Sequence, residues 1–533
     1  MLPIISGREA RPGARKITTR QRSMLFVSLP AIMLGVALSV VSGSGRRLIS
    51  SCARSIEGQG ASAAFTTGRV ALRKEAAQNA DLLVGPNFRI SQVSAAGPDR
   101  DAASPAITYN AEDNEYLVVW SGNGLSGSKM GKADEILGRR VSAATGAPVG
   151  ADFRISNISD GGKDRAAFGP KAVYNSTSHE YLVVWHGTGP QDAPAEVSEI
   201  YGQRLNRTGG ELGKDFRISS ATELGKINDV FTRASSHADV AWNSADNQYL
   251  VVWDAMGLPD EVIRLEVFGQ LLDGAGGPVG KNFRISNTTE QGAEFNANSP
   301  QVAYNSTGNQ YLVVWSGPSK VKSQNEIWAQ GLSAQGAQLG KGNGDFLVSQ
   351  VSTNVGSDRD ASAPQVVYNS SSNEYLVVFQ ANAVAGVDNV QANEVFGQRI
   401  NAATLGEVGP NDFRISNTPG SFRDRADNPR VAFNSLDKEY LVVWRGIRRD
   451  VPSEIFGQRV SLTGTEIDAD FQISNIASVA KDRAVNLAAV AYNKAGGEYL
   501  AVWDGDELPG PTMRRVTEIF GQRIKTAAKR LGP

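Results

Sequence analysis

The chain has 533 residues, with 54 Lys plus Arg against 55 Asp plus Glu, three histidines and a single cysteine. Its length is ample for a large buried core, while the lone Cys52 excludes an intrachain disulfide and so few Cys and His exclude a standard Cys/His zinc site. The near-neutral balance conceals a basic tail on an acidic body: residues 1–54 hold nine basic groups and one acid, leaving 45 basic against 54 acidic side chains, a net −9. A nucleic-acid-binding body would carry the opposite sign.

In chain order, residues 1–22 form a basic N-terminal segment, with Arg8, Arg11, Arg15, Lys16, Arg20 and Arg22 against Glu9. Residues 23–45 carry no charge and are long enough to span a bilayer, which predicts a signal sequence or a membrane anchor. The chain is therefore expected to be secreted, or anchored with its body outside the cytoplasm and touching the membrane only through this segment. Small residues at 42–45 offer a cleavage point. Ile49-Ser-Ser-Cys52 faintly resembles a lipoprotein cleavage motif, but Arg46 and Arg47 separate it from the apolar run. Residues 46–80 read as a flexible linker rich in Ala, Gly and Ser. The folded body is expected over 81–533.

Asn87-Phe-Arg-Ile-Ser91 reads as a strand without hairpin partners before it. A motif close to Tyr-Leu-Val-Val-Trp then recurs seven times, at Tyr116–Trp120, Tyr181–Trp185, Tyr249–Trp253, Tyr311–Trp315, Tyr375–Phe379, Tyr440–Trp444 and Tyr499–Trp503. Self-similarity at such a period marks a repeat architecture. Each unit holds four short runs rich in β-branched and aromatic residues, none with a helical period. In the fourth unit they lie at 301–304, 311–315, 326–330 and 345–349. Tight polar turns such as Asn305-Ser-Thr-Gly-Asn309 and Asp273-Gly-Ala-Gly-Gly277 join the first run to the second and the third to the fourth. The remaining connectors are long. The pattern predicts an all-β, seven-bladed β-propeller with four antiparallel strands per blade. The last repeat stops after its third strand, Glu518-Ile-Phe-Gly-Gln-Arg-Ile524. Residues 87–91 are predicted to supply its missing outer strand and close the ring.

That closure resembles the N-terminal closing strand of WD-type propellers, although the Gly-His…Trp-Asp signature is absent. The repeat also resembles those of secreted bacterial propellers. The resemblance implies the architecture and no particular activity.

Candidate site residues come in recurrent sets. A glutamate opens every third strand: Glu135, Glu199, Glu266, Glu326, Glu394, Glu454 and Glu518. An arginine follows an aspartate in five inter-repeat connectors, at Arg100, Arg165, Arg359, Arg425 and Arg483. Recurrence in every blade points to a latch, with planar guanidinium groups holding connectors to carboxylates. Trp120, Trp185, Trp253, Trp315, Trp444 and Trp503 end the second strands; they could stack on a sugar or fill the gap between diverging blades. His179 lies in a tight turn, and His186 and His237 lie in unrelated connectors, where solvated roles are expected. No residue stands out as catalytic, and neither a metal nor a cofactor is expected. The two long connector classes should emerge on one face, so ligand contacts are expected near 121–134, 186–198, 254–265, 380–393 and 504–517, around the channel mouth. The expected function is a non-enzymatic, monomeric binding propeller recognising a protein or glycan there. The alternatives are a polysaccharide hydrolase or lyase on the same scaffold, and a purely structural cell-surface module.

Overall fold

The computed structural model describes residues 82–526, apart from connector segments 97–99, 126–132, 159–164, 189–197, 221–234, 257–264, 288–295, 320–323, 341–343, 352–359, 383–392, 418–423, 449–450, 476–483 and 507–515. The basic segment 1–22, the apolar run 23–45 and the linker 46–80 with Cys52 lie outside the described residues.

Seven antiparallel sheets follow one another along the chain. Blade 1 is Ala102–Asn110, Glu115–Gly122, Glu135–Ser142 and Pro148–Arg154, hydrogen-bonded in that order. Blades 2 to 6 repeat it; in blade 4 the fourth strand is split into Gln338–Leu339 and Phe346–Leu347. Blade 7 takes Val485–Asn493, Glu498–Asp506 and Thr517–Lys525 from the end of the chain and Leu83–Arg89 from its beginning. This closing strand pairs Leu83 with Ile524 and Arg89 with Phe520. It starts four residues earlier than the sequence suggested. Gly85, at φ +70°, and Pro86 sit in a bulge between Val84 and Phe88 instead of preceding the strand. Pro is tolerated there because a bulge frees its position from the ladder.

The all-apolar second strand has the physical cause expected of it: both faces are buried. Leu117 and Val119 pack with Tyr181, Val183 and Trp185 of blade 2. Their neighbours Tyr116, Val118 and Trp120 turn the other way, onto Leu500 and Val502 of blade 7. Alternation along a strand thus feeds two different inter-blade cores. The first tight turn also joins blades. Asn110 Oδ1 accepts hydrogen bonds from the backbone N–H of Glu112 and Asp113, while its Nδ2 donates to the Tyr181 hydroxyl at 3.1 Å. Asn175 reaches Tyr249 and Asn369 reaches Tyr440 in the same way, both at 2.8 Å.

A second set of bonds runs around the rim. Backbone N–H groups of Gln92, Asn157, Ser220, Asn287, Gln350, Asn417 and Asn475 each donate to a side-chain oxygen on the next blade's fourth strand, over 2.7–2.9 Å. The acceptors are Asp152, Asp215, Asn282, Asp345, Asp412, Asp470 and Asn87, so the last bond returns to the closing strand. The two asparagines have a further use for their Nδ2 groups: Asn282 donates to Gln270 Oε1 and Asn87 to Gln522 Oε1, both at 2.6 Å. In blade 1 the glutamine position is Arg139, whose Nε lies 2.7 Å from Asp152. In blades 2, 4 and 6 the acid faces no such donor. Oδ1 of Asp215, Asp345 and Asp470, and Oε1 of Gln203, Gln330 and Gln458, are buried without a hydrogen-bond partner.

Candidate active site

The first strand of every blade is broken by a bulge near its start. Pairing with the second strand slips between Ala103 and Ala106 in blade 1, between Phe168 and Lys171 in blade 2, and at the same place in the other five. Ser104, Gly169, His237, Ser299, Ala363 and Asn428 occupy the bulge in six blades with φ between 49° and 59°. That left-handed conformation is costly for a side chain such as Ala363. Bulges re-aim the residues beside them. Residues at and just after these seven bulges line one cavity of about 610 Å³. A cavity lined by the same strand of all seven blades is the axial channel.

Four residues before the asparagine that ends each first strand, the chain places Ala106, Lys171, Asp239, Gln301, Gln365, Arg430 and Ala489. The residues on either side repeat in type, Pro or Ala before it and an apolar residue after it; this position does not. Five consecutive blades put polar groups into the channel, and blades 7 and 1 present an apolar wall that includes Ile107 and Val490. Lys171 Nζ lies 3.4 Å from Gln301 Oε1. Asp239, 8% exposed, accepts from the Val302 N–H at 2.9 Å. Burial pushes the Asp239 carboxyl up, against the pull of Lys171 and Arg430, and it lowers both Lys171 and Arg430. Two cations face one acid, and Asp239 is the one carboxylate among the described lining residues.

Above them, where first strands begin and second strands end, stand two histidines. His237 occupies the bulge of blade 3, and its Nδ1 donates to Asp254 Oδ2 at 2.8 Å. Asp254 is fully buried and also accepts from Ser236 Oγ at 2.5 Å and the Ser299 N–H at 2.8 Å. An acceptor-only carboxylate in that network fixes the Nδ1–H tautomer and leaves Nε2 available. The bond to Asp254 raises the His237 pKa over the opposition of burial. His186 lies 6.2 Å away, ring to ring, and burial with the adjacent His237 drives it down to about 4. Its position, one past the repeated aromatic, has a structural job elsewhere. Ser121, Asp254 and Gln380 there accept the bulge N–H of the next blade, from Gly169, Ser299 and Asn428. His186 Nδ1 is buried without a hydrogen-bond partner. Gly169 leaves room for this ring: a Cβ there would come within 2.9 Å of its Cε1.

The sequence-derived candidates fall elsewhere. The six tryptophans are at most 2% exposed and fill the layers between blades. The seven glutamates are at most 4% exposed. Each accepts a hydroxyl bond from the serine two residues past the end of its blade's fourth strand: Ser156, Ser219, Ser286, Ser349, Ser416, Ser474 and, after the closing strand, Ser91. Arg154 and Arg414 on fourth strands add ion pairs to Glu135 and Glu394 at 2.5 and 2.6 Å. Of the connector arginines, Arg100 donates to the Asn123 carbonyl, Arg165 is buried, and Arg425 lies 3.7 Å from Asp427. Arg359 and Arg483 lie outside the described residues, as do parts of all five expected contact segments. His179 pairs with Glu112 at 2.5 Å, far from the channel lining. The expectation that His186 and His237 are unrelated loop residues is corrected: the end of one blade's second strand lies beside the next blade's bulge. Lys171, Asp239 and Arg430 carried one sequence signal, a position that varies between neighbours that repeat in type.

No protein-family model and no curated protein matches the chain. Solved structures do. A polysaccharide lyase of family PL25, an ulvan lyase, aligns over 82% of this chain and 93% of its own at 9% identity, with a TM-score of 0.46. The α-L-arabinanase of Penicillium chrysogenum, solved with arabinobiose, aligns over 68% and 94% at 11% identity and a TM-score of 0.40. The α-L-arabinofuranosidase of Lactobacillus brevis aligns over 62% and 97% at 10% identity and a TM-score of 0.34. Such values describe likeness of architecture. The expectation of a non-enzymatic propeller that only binds its ligand is corrected on the channel itself, where a His/Asp/Lys/Arg constellation is set among the seven bulges.

Proposed function

We propose that the protein is a lyase that cleaves acidic, uronate-containing polysaccharides by β-elimination at the mouth of the axial channel. The observation that carries this reading is the pair His186 and His237, 6.2 Å apart ring to ring and pushed in opposite directions by their surroundings, above a channel with two cations and one acid. Environments that push two titratable groups apart mark an acid and a base. His186 is neutral above pH about 4 and can accept a proton. His237, drawn toward the imidazolium by Asp254, can give one. Lys171 and Arg430 supply positive charge for a uronate carboxylate and for the charge that grows on it when the neighbouring carbon loses its proton. In the proposed step His186 takes the proton from C5 and a C4=C5 double bond forms. The C4–O bond breaks, and His237 protonates the departing glycosidic oxygen. Glycoside hydrolysis instead calls for two carboxylates flanking the bond, and the described lining offers Asp239 alone.

The test is a polysaccharide panel. Uronate-containing chains should release products with the ultraviolet absorbance of an unsaturated uronate, and neutral arabinan should be inert. New reducing ends without that chromophore would identify a hydrolase and defeat the proposal.

We further propose that the body, resembling secreted bacterial propellers in its repeat, works outside the cytoplasm as a monomer, delivered by residues 1–45. Six basic residues ahead of an uncharged run support this. Residues 1–60 fused to a reporter active only outside the cytoplasm should give signal. A stable but silent fusion would sink the idea.

A further inference from the structure

One large apolar side chain at the channel mouth has no structural employment. Phe168 is 41% exposed, and it lines the same cavity as His186, His237 and Lys171. Its ring centre lies 6.1 Å from that of His186, tilted by 38°. Phe168 and His186 are also directly opposed in the strand pairing, so the backbone fixes their spacing. The corresponding positions of the other blades are Ala103, Ser236, Asn298, Ser362, Asp427 and Asn486, all small or polar. The ring is therefore not required by the repeat. Two other large apolar residues are exposed among the described residues, Val279 and Leu436, and neither lines the channel. Leaving an aromatic ring in water forgoes the gain of burying it. Placed beside a catalytic histidine, it offers a flat apolar surface at the one point where a substrate must pass.

We propose that Phe168 is a sugar-stacking platform that positions the residue next to the scissile bond, selecting a saccharide ring with an uninterrupted apolar C–H face. This deepens the lyase reading and rests on it. A pyranose with equatorial hydroxyls presents axial C–H groups on each face, and an aromatic ring covers one such face without hydrogen bonds. Hydroxyls at the edge remain free to meet polar groups such as Gln301 and Gln365 on the opposite arc of the channel. The cationic side of the cavity would then recognise the charged sugar, and Phe168 its neighbour. The substrate class is an acidic chain whose unit beside the charged sugar presents a clear apolar face.

The experiment compares the wild type with Phe168→Ser and Phe168→Trp on the uronate polysaccharides it cleaves. Ser is what blades 3 and 5 carry at this position, so the fold tolerates it. Stacking worth about as much as an aromatic pair predicts that Phe168→Ser raises KM by about tenfold, with kcat changed by less than about twofold. Phe168→Trp should restore the wild-type KM, which a merely structural role would not produce. Wild-type KM in Phe168→Ser, alongside intact cleavage, would overturn the platform and leave the lyase standing. A fall in kcat at constant KM would likewise overturn it, since a platform acts on binding. A wild type that releases no unsaturated product from any uronate chain would overturn both.

Discussion

Replacing His237 by Asn is expected to lower kcat on uronate polysaccharides by roughly 10²–10⁴-fold, the usual reach of a positioned general acid. Asn keeps a donor toward Asp254 but has no proton to give. The wild-type pH profile should carry the marks of both histidines. His186 must be neutral, and burial holds it at about 4, so activity should rise through about pH 4. His237 must be protonated, and Asp254 holds it above its ordinary value of 6.5, so the alkaline fall should lie above that value. Asp254→Asn removes the carboxylate that stabilises the imidazolium, and the alkaline limb should move down, the acid limb following by less because Asp254 is the weakest of the influences on His186. A purely structural Asp254 would change the rate and leave the limb in place. Full activity in His237→Asn, or an immobile alkaline limb in Asp254→Asn, would take this pair out of the chemistry.

The triple substitution Asp215→Asn, Asp345→Asn, Asp470→Asn is expected to stabilise the propeller at neutral pH. These acids sit where blades 3 and 7 use Asn282 and Asn87, whose Nδ2 groups donate to a glutamine at 2.6 Å. In the acid blades two oxygens lie buried in the corresponding places without a donor. Burial raises Asp215 to about 7 and Asp345 and Asp470 to about 6, over the pull of the backbone bonds they accept. Their surroundings do little to help: Glu211 and Glu135 oppose ionisation of Asp215 against Arg154, and Glu466 and Glu394 oppose that of Asp470 against Arg414. A folded-state value above the unfolded one means that the native ring binds more protons. The stability this confers is present below about pH 4 and is lost as pH rises toward 7. The melting temperature of the wild type should therefore fall over that interval relative to the variant, and the two should converge in acid. Each asparagine supplies a donor where one is missing, worth on the order of 1 kcal/mol. A variant melting below the wild type at pH 7.5, or parallel curves at all pH values, would show that those oxygens are satisfied by another route.

The ring was legible in the chain because each blade repeats the same physical problem. Tyr-Leu-Val-Val-Trp is apolar throughout since alternate residues belong to different inter-blade layers. Asn110 and its equivalents recur because they serve the turn and the neighbouring tyrosine together. The orphan at 87–91 announced the closure, although the strand itself runs from 83 to 89 and holds Gly85 and Pro86 in a bulge. The channel constellation was harder for the same reason. Recurrence drew attention to the glutamates and tryptophans, which recur because every blade buries them. His186 and His237 are 51 positions apart and meet only because a second strand's end lies beside the next bulge. No spacing rule within one repeat reveals that contact. Lys171, Asp239 and Arg430 could be found by asking which strand positions fail to repeat and which of them face the channel, a question that needs the bulge register to be posed.

The closing strand also imposes an order of events on biosynthesis. Leu83–Arg89 leaves the ribosome long before Thr517–Lys525, yet the two must pair, and Asn475 must find Asn87, before the circle exists. Contacts between the ends of a chain are slow to form because the intervening length must first be ordered. Six sheets can assemble as they emerge, while the seventh waits, with one edge unpaired, for the final residues. Until closure Thr517–Lys525 has one unpaired edge and Leu83–Arg89 has no partner, a state in which another copy's strand could be captured instead. Truncation near the C-terminus would therefore do more than remove a blade's third strand. It would leave Leu83–Arg89 permanently without its mate.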